Sequence, residues 1–434
     1  MSSGQFQTRQ IGNVRLHVCP STKFKTTMLV AMFQQELSTK YVTQTALLSN
    51  VLLRGTEQYP TMLDLKKKQN DLYGAGLFGD VFKRGERQIL HFGVDIANEQ
   101  YLHDASPLLE EAVGLLCEVI TKPALEQDIF VKSYVEAEKR NLKQQIEGLV
   151  DEKAQYAAQR SIEAMCKNEP YAIFINGRVE DIPAIQADNL YTYYQELLYH
   201  CPLDLYCVGD VDIQRVISLF QKYLPSEMFT SERKQLGLSQ TAPVSVQQVN
   251  TVIEHLPVNQ GKLNMGCRTH ITVQDSDYPS LLMYNGILGG FPHSKLFMNV
   301  REKASLAYYA SSRLESHKGV MHIQSGIEIQ NFEKAVTIIK EQMEVMRQGQ
   351  ISDQELAQTK ATLSNQFREQ QDRAYEIVQS HYHSVLSGTN RPLEQILKEI
   401  AQVSKEDVQK VAQKIQLDTI YFLRDQGGEA DEKN

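Results

Sequence analysis

Arg301 and Tyr308 stand seven residues apart in the stretch Leu288–Tyr309, LGGFPHSKLFMNVREKASLAYY. A guanidinium and a phenol held beside a turn can donate hydrogen bonds to a peptide carbonyl and to the negative charge that develops on it. A second reading makes Arg301 a surface ion-pair partner of Glu302 or another nearby acid, and Tyr308 a core residue. The elements around the pair must decide between them. Gly289 and Gly290 let the backbone turn or approach another segment closely. Ser294–Val300 reads as a short helix, and Ala307 begins a strand entering a sheet.

Bulk properties narrow the function classes. A chain of 434 residues is too long for one ordinary core and implies two to four domains. Its 42% hydrophobic and 23% charged content is that of a soluble globular protein. A formal net charge of −8 argues against nucleic acid as a partner. The run Lys66-Lys67-Lys68 falls on a helical stretch and reads as a solvated face. No apolar run approaches membrane-spanning length, so no membrane partner is expected. The first residues, MSSGQFQTRQIGNVRLHV, lack the apolar core of a signal peptide. Six scattered cysteines with no C-x-x-C pair fit buried, reduced thiols and a cytoplasmic location, and their spacing does not suit zinc. His381 and His383, two apart, fall on different faces of a helix and read as packing or surface residues rather than ligands. Neither a nucleophile elbow nor a phosphate-cradling glycine loop is visible.

The order of elements repeats. In the first half, strands at Val14–Val18 and Thr27–Gln34 precede a helix over Thr43–Arg54 stopped by Gly55, then a helix at Thr61–Leu72. A hairpin of Leu77–Phe82 and Gln88–Val94 follows, turning at Lys83–Arg87. Next come a helix over Pro107–Thr121, a long helical stretch from Asp128 to Cys166, a helix at Ala187–Tyr199 and a strand at Leu205–Val208. The second half offers helices at 331–346 and 352–386, then Ser404–Ile415 and the strand Thr419–Leu423. The segments LDLYCVGD at 203–210 and LDTIYFLRD at 417–425 hold matching places. This order implies a duplicated α+β unit of about 200 residues. The division is 1–224, a polar Pro/Ser/Gln-rich linker at 225–248, and 249–434.

The string around Arg301 resembles the insulinase/pitrilysin family of zinc peptidases, in which LGGG-x-SSRLF-x-x-(L/I)REKRGLAY recurs. Gly289, Gly290, Ser294, Leu296, Phe297, Arg301, Glu302, Lys303, Leu306, Ala307 and Tyr308 match it. Phe291 replaces a third glycine, and Ser305 replaces the glycine before Leu306. The resemblance covers nearly the whole chain and implies two tandem homologous α/β-sandwich domains of the LuxS/insulinase-like metallopeptidase type. Each would hold a mostly antiparallel sheet packed with helices. It also implies that Arg301 and Tyr308 grip substrate and stabilise a tetrahedral intermediate. Gly289, Gly290, His293 and Ser294 would line the substrate, although His293 is equally readable as a packing residue.

The same family sets a demand on the first half. Active members carry H-x-x-E-H on a helix, where two His at i and i+4 chelate zinc and the Glu serves the zinc-bound water as base. The stretch Ala46–Thr56, ALLSNVLLRGT, aligns with that motif through its Arg-Gly-Thr ending. It puts Ala46 and Asn50 at the His positions and Ser49 at the Glu position. Alanine has no lone pair, Asn is a weak neutral ligand and Ser is no base near neutral pH. In EAEKRNLKQQIEG, 136–148, Gln145 falls at the third-ligand position and Glu138 at that of an auxiliary acid. A shift of two residues would put Glu147 there instead. The expectation is a degenerate zinc site with no metal or other cofactor in this chain.

The resemblance thus implies an inactive branch and a non-catalytic subunit of a two-chain peptidase that processes or degrades peptides. A partner bearing H-x-x-E-H would carry the zinc. The Gly74–Phe82 strand resembles the family's edge strand for peptide β-addition. A catalytically inactive scaffold or peptide-binding protein is the alternative, with a homodimer in the partner's absence. An active peptidase with an unrecognised site would need three ligands and a base that the sequence does not offer.

Overall fold

Strand Thr26–Glu36 is buried from Thr27 through Gln35, as expected of a central strand covered on both faces. It anchors the first of two compact units in the computed structural model, which describes residues 5–102, 107–237 and 244–426. Unit 1 comprises Met1–Glu147, Ile173–Gly237 and Arg373–Tyr382. Unit 2 comprises Gly148–Ala172, Leu238–Asp372 and His383–Asn434. Each unit therefore includes a segment carried by the other half of the sequence. Of the 225–248 stretch, residues 238–243 lie outside the described residues. Before them, Glu227–Thr230 forms a short helix that buries Met228 in the unit 1 core.

Unit 1 is built on six strands: β1 (Gln7–Ile11), β2 (Val14–Pro20), β3 (Thr26–Glu36), β4 (Gly76–Arg84), β5 (Arg87–Ala97) and, after a hairpin of β6 (Leu125–Glu126) and β7 (Ile129–Phe130), β8 (Leu203–Gly209). The sheet order is β1-β2-β8-β3-β5-β4, antiparallel except for β2 beside β8. The β6–β7 turn is sharp because Gln127 and Asp128 both adopt positive φ, the backbone a two-residue hairpin loop requires. The helix Leu108–Thr121 lays Leu108, Ala112, Val113, Leu116 and Ile120 against β3 and β5.

Unit 2 repeats this plan with β9 (Asn250–His255), β10 (Gly261–Arg268), β11 (Ala307–Glu315), β12 (Val320–Ile327) and β13 (Gln416–Arg424). Its order is β11-β12-β10-β13-β9, antiparallel except for β13 beside β9. Matched by position, β9, β10, β11, β12 and β13 answer to β2, β3, β4, β5 and β8. The fold is thus α+β with two like sheets, and among the described residues β1 and the β6–β7 hairpin lack counterparts. Helices Phe332–Arg347 and Lys405–Lys414 pack together, and the unit 2 core runs from Leu263 to Phe422. Ser352 and Ser404 cap their helices reciprocally with Glu355 and Asp407, which satisfies otherwise orphaned donors.

Several expected elements hold with small shifts of boundary. The stretch 128–166 is not one helix. It breaks into Lys132–Gly148 and Lys153–Met165, where Gly148 weakens the helix and Asp151 N–H turns back to its carbonyl at 3.0 Å. The stretch 352–386 divides likewise into Asp353–Gln370 and Ala374–Ser387. No helix of the described residues is long and apolar enough to cross a membrane.

Candidate functional site

The helix Tyr278–Asn285 runs on through wide turns at Gly286–Gly290 to the Phe291 corner. Gly289 is fixed by close packing. A Cβ there would stand 2.6 Å from Ser312 Oγ and 2.7 Å from Ser312 N on β11, distances that real Cβ atoms do not show. Ser312 in turn donates to Asn285 Oδ1 at 2.8 Å. The corner is thus strapped to the edge strand. Gly290 is exposed beside it.

After the corner a second helical segment closes with wide turns over Phe297–Lys303. Phe297 and Arg301 are four apart, and the guanidinium lies 4.6 Å from the Phe297 ring centroid, within range of a cation–π contact. The Arg301 side chain remains 43% exposed and meets Glu302 only at 3.6 Å. The ion pair foreseen from the sequence is therefore present, but loose. Ser305 then takes φ +51° at the position where the resemblance has glycine, a left-handed backbone that costs a non-glycine residue about 1 kcal/mol. Tyr308 follows in the register shift between Ala307 and Tyr309 where β11 pairs with β12. It is 66% exposed. The bulge is the reason Tyr308 is not the core residue of the second sequence reading, because the extra residue re-aims its side chain.

The other expected contacts of the loop divide in two. Ser294 is fully buried, and its Oγ accepts from Phe297 N–H at 3.5 Å, a position inside the fold. His293 is partly exposed, stacks on Phe291 and meets Thr359 Oγ1 at 3.1 Å. Burial holds its imidazole below the usual histidine range, against the pull of Glu355. Beneath the loop, Lys295 donates to Glu355 Oε1 at 2.7 Å. Burial works against the Glu355 charge, yet the Lys295 and Ser352 hydrogen bonds keep its carboxyl below the ordinary range. The Lys295–Glu355 strut escaped the sequence reading. The S-x-x-E capping signature at 352–355 was its one visible trace.

The corresponding connection in unit 1 runs from β3 through the helix Val42–Val51 to β4. Ala46 and Ser49 lie inside it, 1% and 2% exposed. Ser49 Oγ donates to the Ala46 carbonyl at 2.8 Å, and Asn50 Nδ2 reaches the same oxygen at 3.4 Å. Arg54 binds Glu138, whose other oxygen accepts from Asn141 at 3.0 Å. Gln145 is exposed on its helix, and exposed Glu147 meets Lys143 at 3.7 Å. The donor set at 46, 49, 50 and 145 is an alanine, a serine and two amides, and does not fit zinc. Among the described residues no group of three or more His, Cys, Asp or Glu side chains is placed to hold a metal ion. Of the histidine pair, His381 lies in unit 1, 3.1 Å from Tyr206 Oη, and His383 in unit 2, stacked on His317. Both are packing residues. Beside the helix, β4 ends its sheet among the described residues, the edge position that the family resemblance implied for the Gly74–Phe82 strand.

Comparison with known proteins adds relatives to this geometry. A family model described as "Peptidase M16 inactive domain" matches residues 184–363. The chain is 46% identical over 414 residues to Probable inactive metalloprotease YmfF of Bacillus subtilis (strain 168), covering 95% of this chain and 96% of that protein. A solved structure of a conserved protein from Enterococcus faecalis V583 is similar at a TM-score of 0.89 and 32% identity, covering 98% and 99% of the two chains. A peptidase M16 inactive domain from Pseudomonas fluorescens reaches a TM-score of 0.79 at 17% identity over 98% and 99%, a likeness of fold alone.

Proposed function

Because the chain belongs to the insulinase/pitrilysin (M16) peptidase family, as an inactive metalloprotease homologue, we propose that it is the non-catalytic subunit of a two-chain zinc peptidase. In this reading the motif helix at Ala46–Asn50 has lost its zinc function. A partner of the same family supplies H-x-x-E-H and the metal, and this chain supplies Arg301 and Tyr308. The Arg301 guanidinium can only donate hydrogen bonds and the Tyr308 phenol donates through its O–H, so their work is to hold the substrate carbonyl and the oxyanion it becomes. Gly289, Gly290 and His293 would border the bound peptide, with Ser294 setting the turn beneath it.

The observation that carries the proposal is the exposure of the pair. Tyr308 is 66% exposed at a bulge on β11, which ends its sheet among the described residues. The strand-for-strand match between the sheets supports 1–224 and 249–434 as the duplicated units, with 225–248 between them. Six buried cysteines, none in a disulfide, support a cytoplasmic setting.

The test is kinetic. With the partner reconstituted, Arg301→Ala and Tyr308→Phe each lower kcat by roughly 10²–10³, the effect of removing one oxyanion donor, while assembly is unchanged on gel filtration. Full-rate cleavage by both variants would sink the shared-site mechanism. It would leave the scaffold or peptide-binding reading in its place.

A further inference from the structure

We infer that the β9 edge of the unit 2 sheet is a self-association surface, joining two copies of this chain through antiparallel β9–β9 pairing. The two sheets differ at this edge. In unit 1, β2 lies between β8 and an added antiparallel strand, β1. Its counterpart β9 pairs with β13 alone among the described residues and ends the sheet. In the internal repeat, the matching edge is covered by one extended strand running antiparallel.

The chemistry of β9 suits a strand and does not repel one. Its sequence, NTVIEH, holds no lysine or proline, residues with which natural sheets blunt their edges. Its register with β13 is unbroken from Asn250 to His255. Ile253 is 47% exposed. The strand's one carboxylate, Glu254, is already occupied by Tyr156, by Arg160 at 3.0 Å and by Tyr421 at 2.8 Å. Hydrogen bonds and the Arg160 charge hold its carboxyl below the usual range although burial opposes them.

Self-pairing also fixes the register. A two-fold axis perpendicular to the sheet keeps each face on its own side, so residue i must meet a residue of the same parity. Centring the axis on Ile253 sets Ile253 against Ile253 of the second copy, Glu254 against Val252, and His255 against Thr251. No like charges meet, and the most exposed apolar side chain is covered by its own copy. The surface is at the far edge from β11, four strand spacings or about 19 Å away. A β9 dimer leaves Arg301 and Tyr308 free for the partner proposed above, so either reading can fail alone.

The register makes the test sharp. Directly opposed residues of an antiparallel pair lie about 4.5–5.5 Å apart at Cα, within disulfide range. The six native cysteines are buried. In the full chain, Ile253→Cys under mild oxidation is expected to give a covalent dimer on non-reducing gels, and Thr8→Cys on β1 is expected to give none. By analytical ultracentrifugation, wild type is a concentration-dependent dimer, and Ile253→Lys weakens it at least 100-fold without changing circular dichroism. A wild-type monomer at all concentrations overturns the proposal. So does a dimer that Ile253→Lys leaves intact and Ile253→Cys fails to cross-link.

Discussion

The connection from β3 to β4 in unit 1 and the connection from β10 to β11 in unit 2 hold the same place in two like sheets, yet they present opposite surfaces. In the first, the side chains at the motif positions turn inward: Ala46 and Ser49 are buried, and Ser49 and Asn50 spend hydrogen bonds on their own helix. In the second, a glycine packed on Ser312 and a bulge at Tyr308 hold polar groups outward. The first connection thus spends its polar side chains inside the fold, whereas the second leaves Tyr308 exposed three residues after a left-handed Ser305.

The largest effect is expected from making the first connection resemble an active one. The variant Ala46→His, Ser49→Glu, Asn50→His, Gln145→Glu should acquire one zinc per chain, tightening zinc binding at least 10³-fold over wild type by calorimetry. Its metal-free form should lose roughly 1–3 kcal/mol, because Ala46 lies in a packed interior. Failure to bind zinc would show that the helix no longer presents that face.

Acid distinguishes the two units next. Segment 373–382 is held in unit 1 by Tyr375 beside His91 and by His381 beside Tyr206. Burial lowers both imidazoles to about 4, in His381 with a further push from His17. Their folded pKa lies below the unfolded value, so stability is full above about 6.5 and falls as pH drops toward 4. At most the loss is roughly 3 kcal/mol per histidine. Segment 148–172 is held in unit 2 by Glu169 with Arg268 at 2.6 Å and Lys318 at 2.6 Å. Burial opposes that carboxylate, but the two cations hold its pKa below 4.5, so its contribution is lost only at lower pH, as the carboxyl protonates. Hydrogen exchange across pH 7 to 4 should therefore show unit 1 amides losing protection first.

Gly289→Ala should destabilise the chain by about 2–3 kcal/mol, since its Cβ meets the Ser312 backbone. Gly290→Ala, whose Cβ would meet Asn285 no nearer than 3.0 Å, should cost less than half of that. The smallest effect is Ser305→Gly. It relieves a left-handed serine and should raise stability by about 0.5 kcal/mol after the added unfolded-state entropy of glycine. A loss of stability there would show that Ser305 makes a favourable contact outweighing its strain.

Much of this comparison was readable in the residues. The order of elements announced the duplication, and the Arg-Gly-Thr ending located the motif helix without a gap. Other features were not legible, for physical reasons. β9 and β10 alternate too weakly with polar residues to stand out: Asn264 is buried, and β9 is half solvated. The assignment of 148–172 and 373–382 to their units rests on tertiary packing that helical periodicity does not encode. The exposure of Tyr308 depends on a bulge, which one extra residue creates and no side-chain pattern marks.

The central claim is that this chain lends its exposed pair to another's zinc. Affinity purification of the C-terminally tagged chain from its own host, with mass spectrometry of what co-purifies, tests it most directly. The account predicts a near-stoichiometric partner of similar size bearing H-x-x-E-H. Recovery of this chain alone, with no such partner, would contradict it.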